Sequence, residues 1–163
     1  MKKIFMAVIL MAIAFGTACT DISAKKSNDG SRIIALMQKY DGEKGVETMN
    51  INGFLLGIAK AAAKGEEGSE WLKYLDHMAI FSAEEADAET KGKFMDELDA
   101  ILTGYEKAME MQDGEDSLSI WLKMKDEETI SEMVMVAGSD ASVILMRGQI
   151  PLSEMGNIIA DQQ

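Results

Sequence analysis

The stretch ISEMVMVAGSDASVILMRGQI, Ile130 to Ile150, decides the fold. Two apolar runs flank Gly138-Ser139-Asp140, residues of the kind that reverse a chain, and the pattern predicts a tight hairpin. Side chains alternate along a strand. If Glu132 faces water, Val134 and Val136 share its face while Met133 and Met135 turn inward. By the same logic Arg147 places Val143 and Leu145 outward, opposite Ile144 and Met146. Both faces of the hairpin are therefore apolar, and something has to cover the second one.

Working upstream, SLSIWLKMK (117–125) alternates Leu118, Ile120, Leu122 and Met124 with Ser119, Trp121, Lys123 and Lys125, the mark of a half-buried strand. YEKAMEM (105–111) leads into it through the turn QDGED, and a DEE turn joins it to Ile130. This predicts a four-strand antiparallel meander. Before residue 105 the apolar period is mostly helical. SRIIALMQKYDG (31–42) sets Ile33, Leu36, Met37 and Tyr40 on one face, with Ser31 at its start and Gly42 at its end. VETMNI (46–51) reads as a short strand, GFLLGIAKAAAKG (53–65) as an alanine-rich helix stopping at Gly65, and GEEGSE as a loop. A strand follows in KYLDHMAIF. AETKGKFMDELDAILTG (88–104) is a second amphipathic helix with Phe94, Leu98, Ile101 and Leu102 inward, and PLSEMGNIIADQQ closes the chain as a short helix. The fold class expected is α+β: an antiparallel β-meander with amphipathic helices packed on one face.

The N-terminus reads differently. MKKIFMAVILMAIAFGTAC has two lysines, an apolar run and small residues at its exit, the layout of a secretory signal. Residues 1–18 form that signal, 19–30 a polar tether, and 31–163 one domain. Gly16-Thr17-Ala18 before Cys19 resembles a lipobox, with Cys19 as the acylated first residue, although Gly16 departs from the larger aliphatic residue usual there. Ile22-Ser23-Ala24 offers a competing cleavage site. Cys19 is the only cysteine, so no internal disulfide forms. The expected location is the periplasm or outer membrane.

At 163 residues, 47% hydrophobic and 27% charged, the chain supports one domain with a real core and is not globally disordered. The net charge is −12. Loss of Lys2 and Lys3 leaves 16 − 2 = 14 basic residues against 28 acidic ones. Such a surface repels phosphate backbones and anionic lipid, which disfavours nucleic acid as a partner.

The second-half block YEKAMEMQDGEDSLSIWLKMKDEETISEMVMVAGSDASVILMRGQIPL, the upstream FMDELDAIL and the signal segment together resemble the domain of unknown function 4252 family, small exported proteins of Gram-negative bacteria. The likeness spans about residues 31 to 160 and rests on the ISEL-like start, the small-acidic turn and the G-x-I ending. It implies an exported α+β domain without assigned chemistry, and no catalytic residue carries over. The lipobox departs from the simple secreted form of many relatives.

Chemistry is sparse. His77, the only histidine, lies in a strand beside Asp76 with no nucleophile signature, and reads as a partly buried structural residue whose replacement by alanine leaves function intact. Asp113, Glu115 and Asp116 lack the rest of a calcium loop and fit a hairpin turn. Glu84, Glu85 and Asp87 fit the positive end of the next helix better than paired acid–base work. Met109-x-Met111 and Met133-x-Met135 put soft sulfur on strand faces, which suits copper(I), but core filling is the simpler account. No cofactor motif is present. The expectation is a non-enzymatic envelope protein, lipid-anchored at Cys19, that binds a protein partner or itself through an outer sheet face of Trp121, Val134, Val136, Val143 and Leu145, rimmed by Lys123, Glu132 and Arg147. A small-ligand or metal-binding module is the alternative, and a pocket lined by His77 with carboxylates would favour it.

Overall fold

The computed structural model describes residues 29–62, 70–114 and 116–156. The signal segment, Cys19, most of the tether, Gly65, Glu115 and the chain beyond Gly156 lie outside the described residues. The elements in chain order are α1 (Asp29–Tyr40), β1 (Glu47–Ile51), α2 (Gly53–Ala62), a 3-10 turn (Glu70–Tyr74), β2 (Leu75–Ser82), α3 (Ala88–Leu102), β3 (Glu106–Asp113), β4 (Asp116–Met124), β5 (Thr129–Ala137), β6 (Ser142–Pro151) and a short 3-10 turn (Leu152–Glu154).

All six strands form one antiparallel sheet in the order β1-β2-β6-β5-β4-β3. The expected meander is β3 to β6, and the hairpin about Gly138 pairs Val134 with Leu145 and Val136 with Val143. Two strands from the first half extend it beyond β6. Because β2 borders β6 while β3 is the far edge, α3 has to cross the sheet to connect them.

Alternation divides the sheet as the sequence predicts. One face carries Ala79, Phe81, Val134, Val136, Val143 and Leu145, with Trp121 partly buried at the side. The other carries Met78, Ile80, Ile120, Leu122, Met133, Met135, Ile144 and Met146. The covering is the reverse of the expectation. Ile33, Leu36, Met37 and Tyr40 of α1, with Phe94, Leu98, Ile101 and Leu102 of α3, close over the valine face. Val134, Val136, Val143 and Leu145 are thus buried core residues beneath two helices, not an exposed interface, and Trp121 packs against the same cluster. Glu132 is the reason: although charged it is buried, so the face it marks is an inner one. The second face is also buried, with Leu56 of α2 and the half-buried Trp71, Leu72 and Tyr74 packed against it. Helical structure therefore lies on both sides of the sheet, the two amphipathic helices on one and α2 on the other.

Aromatic stacking fixes α3 to the sheet: the Phe81 and Phe94 rings lie parallel at 3.8 Å, and Tyr40 meets Phe94 edge-on at 5.5 Å. At the rim of this contact the Tyr40 hydroxyl donates to Glu97 Oε1 at 2.8 Å and Lys39 Nζ lies 2.7 Å from the same carboxylate. Burial, then the Glu97 carboxylate, pushes the Tyr40 phenol up to about 12. Asp87 caps α3, its carboxylate accepting the Thr90 N–H at 2.8 Å, which is the helix-end role expected for that acidic run. That bond holds the Asp87 carboxyl below its ordinary value. The first helix starts at Asp29, two residues before the expected boundary, and this difference bears directly on the site.

Candidate functional site

At the end of the sheet where β2 begins, four side chains stand in a row across four strands. His77 of β2 pairs with Arg147 of β6, Arg147 with Glu132 of β5, and Glu132 with Lys123 of β4. They continue the helix-covered face past the point where the apolar residues stop. The ladders shift register beside this row, between Leu75 and His77, between Ile130 and Glu132, and between Lys123 and Met124. Such bulges bend a strand and re-aim its side chains. Arg147 and Glu132, expected as a rim, do meet, with Glu132 buried and Arg147 half-buried.

Glu132 is the centre. Its Oε2 accepts the Tyr105 hydroxyl at 2.6 Å and the Gly30 N–H at 3.0 Å, and its Oε1 lies 3.3 Å from Arg147 Nε. Gly30 is in the first turn of α1, so the carboxylate also meets the positive end of that helix. A side chain at Gly30 would displace this pair: its Cβ would stand 2.6 Å from Glu132 Oε1 and 3.1 Å from Arg147 Nε. Gly148 is constrained by backbone, because a Cβ would run into the Tyr74 carbonyl oxygen and lie 2.9 Å from Leu75 Cα. Tyr105 reaches Glu132 from the turn that ends α3, where its N–H donates to the Leu102 carbonyl. Lys123 Nζ sits 5.6 Å over the Tyr105 ring.

Around the row opens a cleft of about 410 Å³ lined by Asp76, His77, Lys123, Ser131, Glu132, Arg147 and Gly148. Two groups in it are uncommitted. Arg147 spends Nε on Glu132, and its terminal amino groups have no hydrogen bond among the described residues. His77 Nε2 is shielded from solvent and has no partner among them either. Burial, then the Arg147 cation, holds the His77 imidazole below its ordinary value, so the ring is neutral at pH 7. A neutral imidazole donates or accepts at Nε2 according to tautomer.

Tyr105, Gly30 and Arg147 together engage both oxygens of Glu132. Among the described residues no group of three or more His, Cys, Asp and Glu side chains converges to hold a metal ion. Met133 and Met135 are buried on the second sheet face, Met109 packs against it and Met111 is exposed. Asp113 and Asp116 face each other across a hairpin whose Gly114 has φ +63°, as an Asp-Gly turn requires. The arrangement presents a guanidinium edge to a recess that His77 and Lys123 also line.

Sequence reasoning missed Tyr105, Gly30 and the burial of Glu132. One signal was available. Glu132 stands six residues before the Gly138–Ala141 turn and Arg147 six after it, so the hairpin that aligns Val134 with Leu145 also aligns these opposite charges. Opposed charges continuing an apolar face indicate a buried pair closing the core as readily as a solvated rim.

A family model described as Domain of unknown function (DUF4252) matches residues 40–158. No curated protein and no solved structure matches the chain.

Proposed function

Because the chain belongs to the domain of unknown function 4252 family, whose description assigns no chemistry, we propose its function from the cleft itself: an exported, lipid-anchored envelope domain that binds a small anionic group without transforming it. The observation that carries this reading is the part-exposed guanidinium of Arg147, held through Nε by Glu132 in a recess that His77 and Lys123 also line. A guanidinium presents parallel N–H bonds that match a carboxylate or phosphate edge. Glu132 orients that guanidinium from behind and leaves its terminal nitrogens toward the cleft. Glu132 and Asp76 offset part of the positive charge, which favours a ligand of low charge, a carboxylate above a phosphate.

The test is a thermal-shift titration of the purified chain against succinate, acetate and inorganic phosphate. A ligand at a hundred times its Kd adds about 2.7 kcal/mol to stability, which is readily seen as a raised midpoint. Arg147→Lys keeps a cation against Glu132 but removes the fork. It is expected to fold and to bind roughly tenfold to a hundredfold more weakly, the worth of one hydrogen bond to a charged group. No shift with any of the three anions, or equal binding by Arg147→Lys, would remove the cleft from consideration.

Export and anchoring rest on the Lys2-Lys3 start, the apolar run and Cys19 at its exit. Cys19→Ala is expected to move the protein from the membrane to the soluble envelope fraction. A mature chain that begins at Lys25 would replace the lipoprotein with a plain secreted form.

A further inference from the structure

Most of α2 is in the wrong place for a core helix. It buries Leu56 alone, while Phe54 is 77% exposed, Ile58 43% and Leu55 40%. These are three of the five large hydrophobic side chains exposed among the described residues, and they fall within two turns of one ten-residue helix. That helix contains no acidic residue in a chain with 28 of them. It is too short to cross a bilayer, and no described helix is long and apolar enough to do so. Its surroundings fit an interface. The adjoining 3-10 turn presents Trp71 and Tyr74 half-buried, with Lys73 Nζ 4.8 Å over the Tyr74 ring. Lys60 Nζ bonds the Leu75 carbonyl at 2.6 Å and fastens the helix to the start of β2. Indole, phenol and lysine flanking an apolar helix is the chemistry of the water–bilayer boundary.

The position of α2 names the occupant. Ile51 pairs with Met78, so α2 starts at the same end of the sheet as His77 and Arg147. The chain enters the fold at that end too, because Gly30 bonds Glu132 there. Cys19 stands ten residues before Asp29, a reach of at most roughly 35 Å. An acyl anchor at Cys19 therefore tethers to the bilayer the end of the sheet at which α2 begins. We propose that the Phe54–Leu55–Ile58 face of α2 lies in the boundary of a lipid bilayer and holds the end of the sheet that bears the cleft near the membrane surface. The acidic surface of the chain makes zwitterionic lipid the preferred host. The orientation rests on the Cys19 reading; the affinity of the helix face for lipid does not.

The test uses the full chain as purified from the envelope, reconstituted with phosphatidylcholine vesicles whose acyl chains carry bromine. The emission that Phe54→Trp adds is expected to be blue-shifted and quenched by the bromines. The emission that Met111→Trp adds, from an exposed position at the opposite end of β3, is expected to be neither. Adding Ile58→Ser to Phe54→Trp should reduce the quenching. If the chain floats with vesicles while the Phe54→Trp signal stays unquenched, the anchor stands and the helix face is overturned. If quenching persists in the Cys19→Ala background, the face is upheld and the anchor is not its cause. Equal quenching at positions 54 and 111, or a blue shift without lipid that depends on protein concentration, assigns the face to non-specific contact or to a second copy and ends the proposal.

Discussion

Val134→Lys and Leu145→Glu are each expected to leave no folded protein, and combining them is not expected to restore it. Both side chains are fully buried and sit opposite each other on β5 and β6 beneath α1 and α3. A lone charge there costs several kcal/mol in desolvation beyond the lost packing, against a total stability of about 5–15 kcal/mol for a domain. In the double variant the new ammonium and carboxylate face each other and recover part of that cost. They remain longer than the residues they replace, inside the cluster that holds Phe81 and Phe94, and beside Glu132 and Arg147, which are already paired with each other. Circular dichroism and a denaturant titration check the result. A native spectrum with a cooperative transition in either single variant would return this face to the surface and make it an interface again.

The alternation that divides Val134 and Val136 from Met133 and Met135 was legible because a strand has a two-residue period and the run is unbroken. The inward faces of α1 and α3 were legible for the same kind of reason, at a period of 3.6. Which sheet face the helices cover was not. Period gives the partition of a strand and not its sign, and the sign was taken from Glu132. A single carboxylate is weak evidence of water when a helix N-terminus, a tyrosine and an arginine can all reach it. Those partners come from residues 30, 105 and 147 and meet only in three dimensions. Likewise β1 and β2 join the sheet beside β6 through pairing that spans more than sixty residues of chain, which no local pattern encodes. The cleft inherits this limit. Its cations were visible as a rim, but their convergence on His77 depends on β2 docking against β6.

Arg147→Ala is expected to cost about 3–5 kcal/mol, more than Glu132→Gln, although both break the same ion pair. The asymmetry follows from burial: the Glu132 side chain is 4% exposed and that of Arg147 25%. Removing the arginine strands a carboxylate in the protein with only the Tyr105 hydroxyl and Gly30 N–H to hold it. Removing the carboxylate charge leaves a guanidinium that reaches water through the cleft, while the Gln amide oxygen still accepts from Tyr105 and Gly30. Tyr105→Phe deletes one hydrogen bond to a charged acceptor and falls between, at about 1.5–3 kcal/mol. A double variant, Arg147→Ala with Glu132→Leu, should be more stable than Arg147→Ala alone, because it removes the stranded charge instead of adding a second injury. It should also have no affinity for carboxylates, which separates the part Arg147 plays in folding from the part it plays in recognition. Urea unfolding of the four variants measures the first and the thermal-shift titration the second. Equal losses for Arg147→Ala and Glu132→Gln, or strictly additive losses in the double variant, would mean that the pair is solvated and that Glu132 does not organise the site.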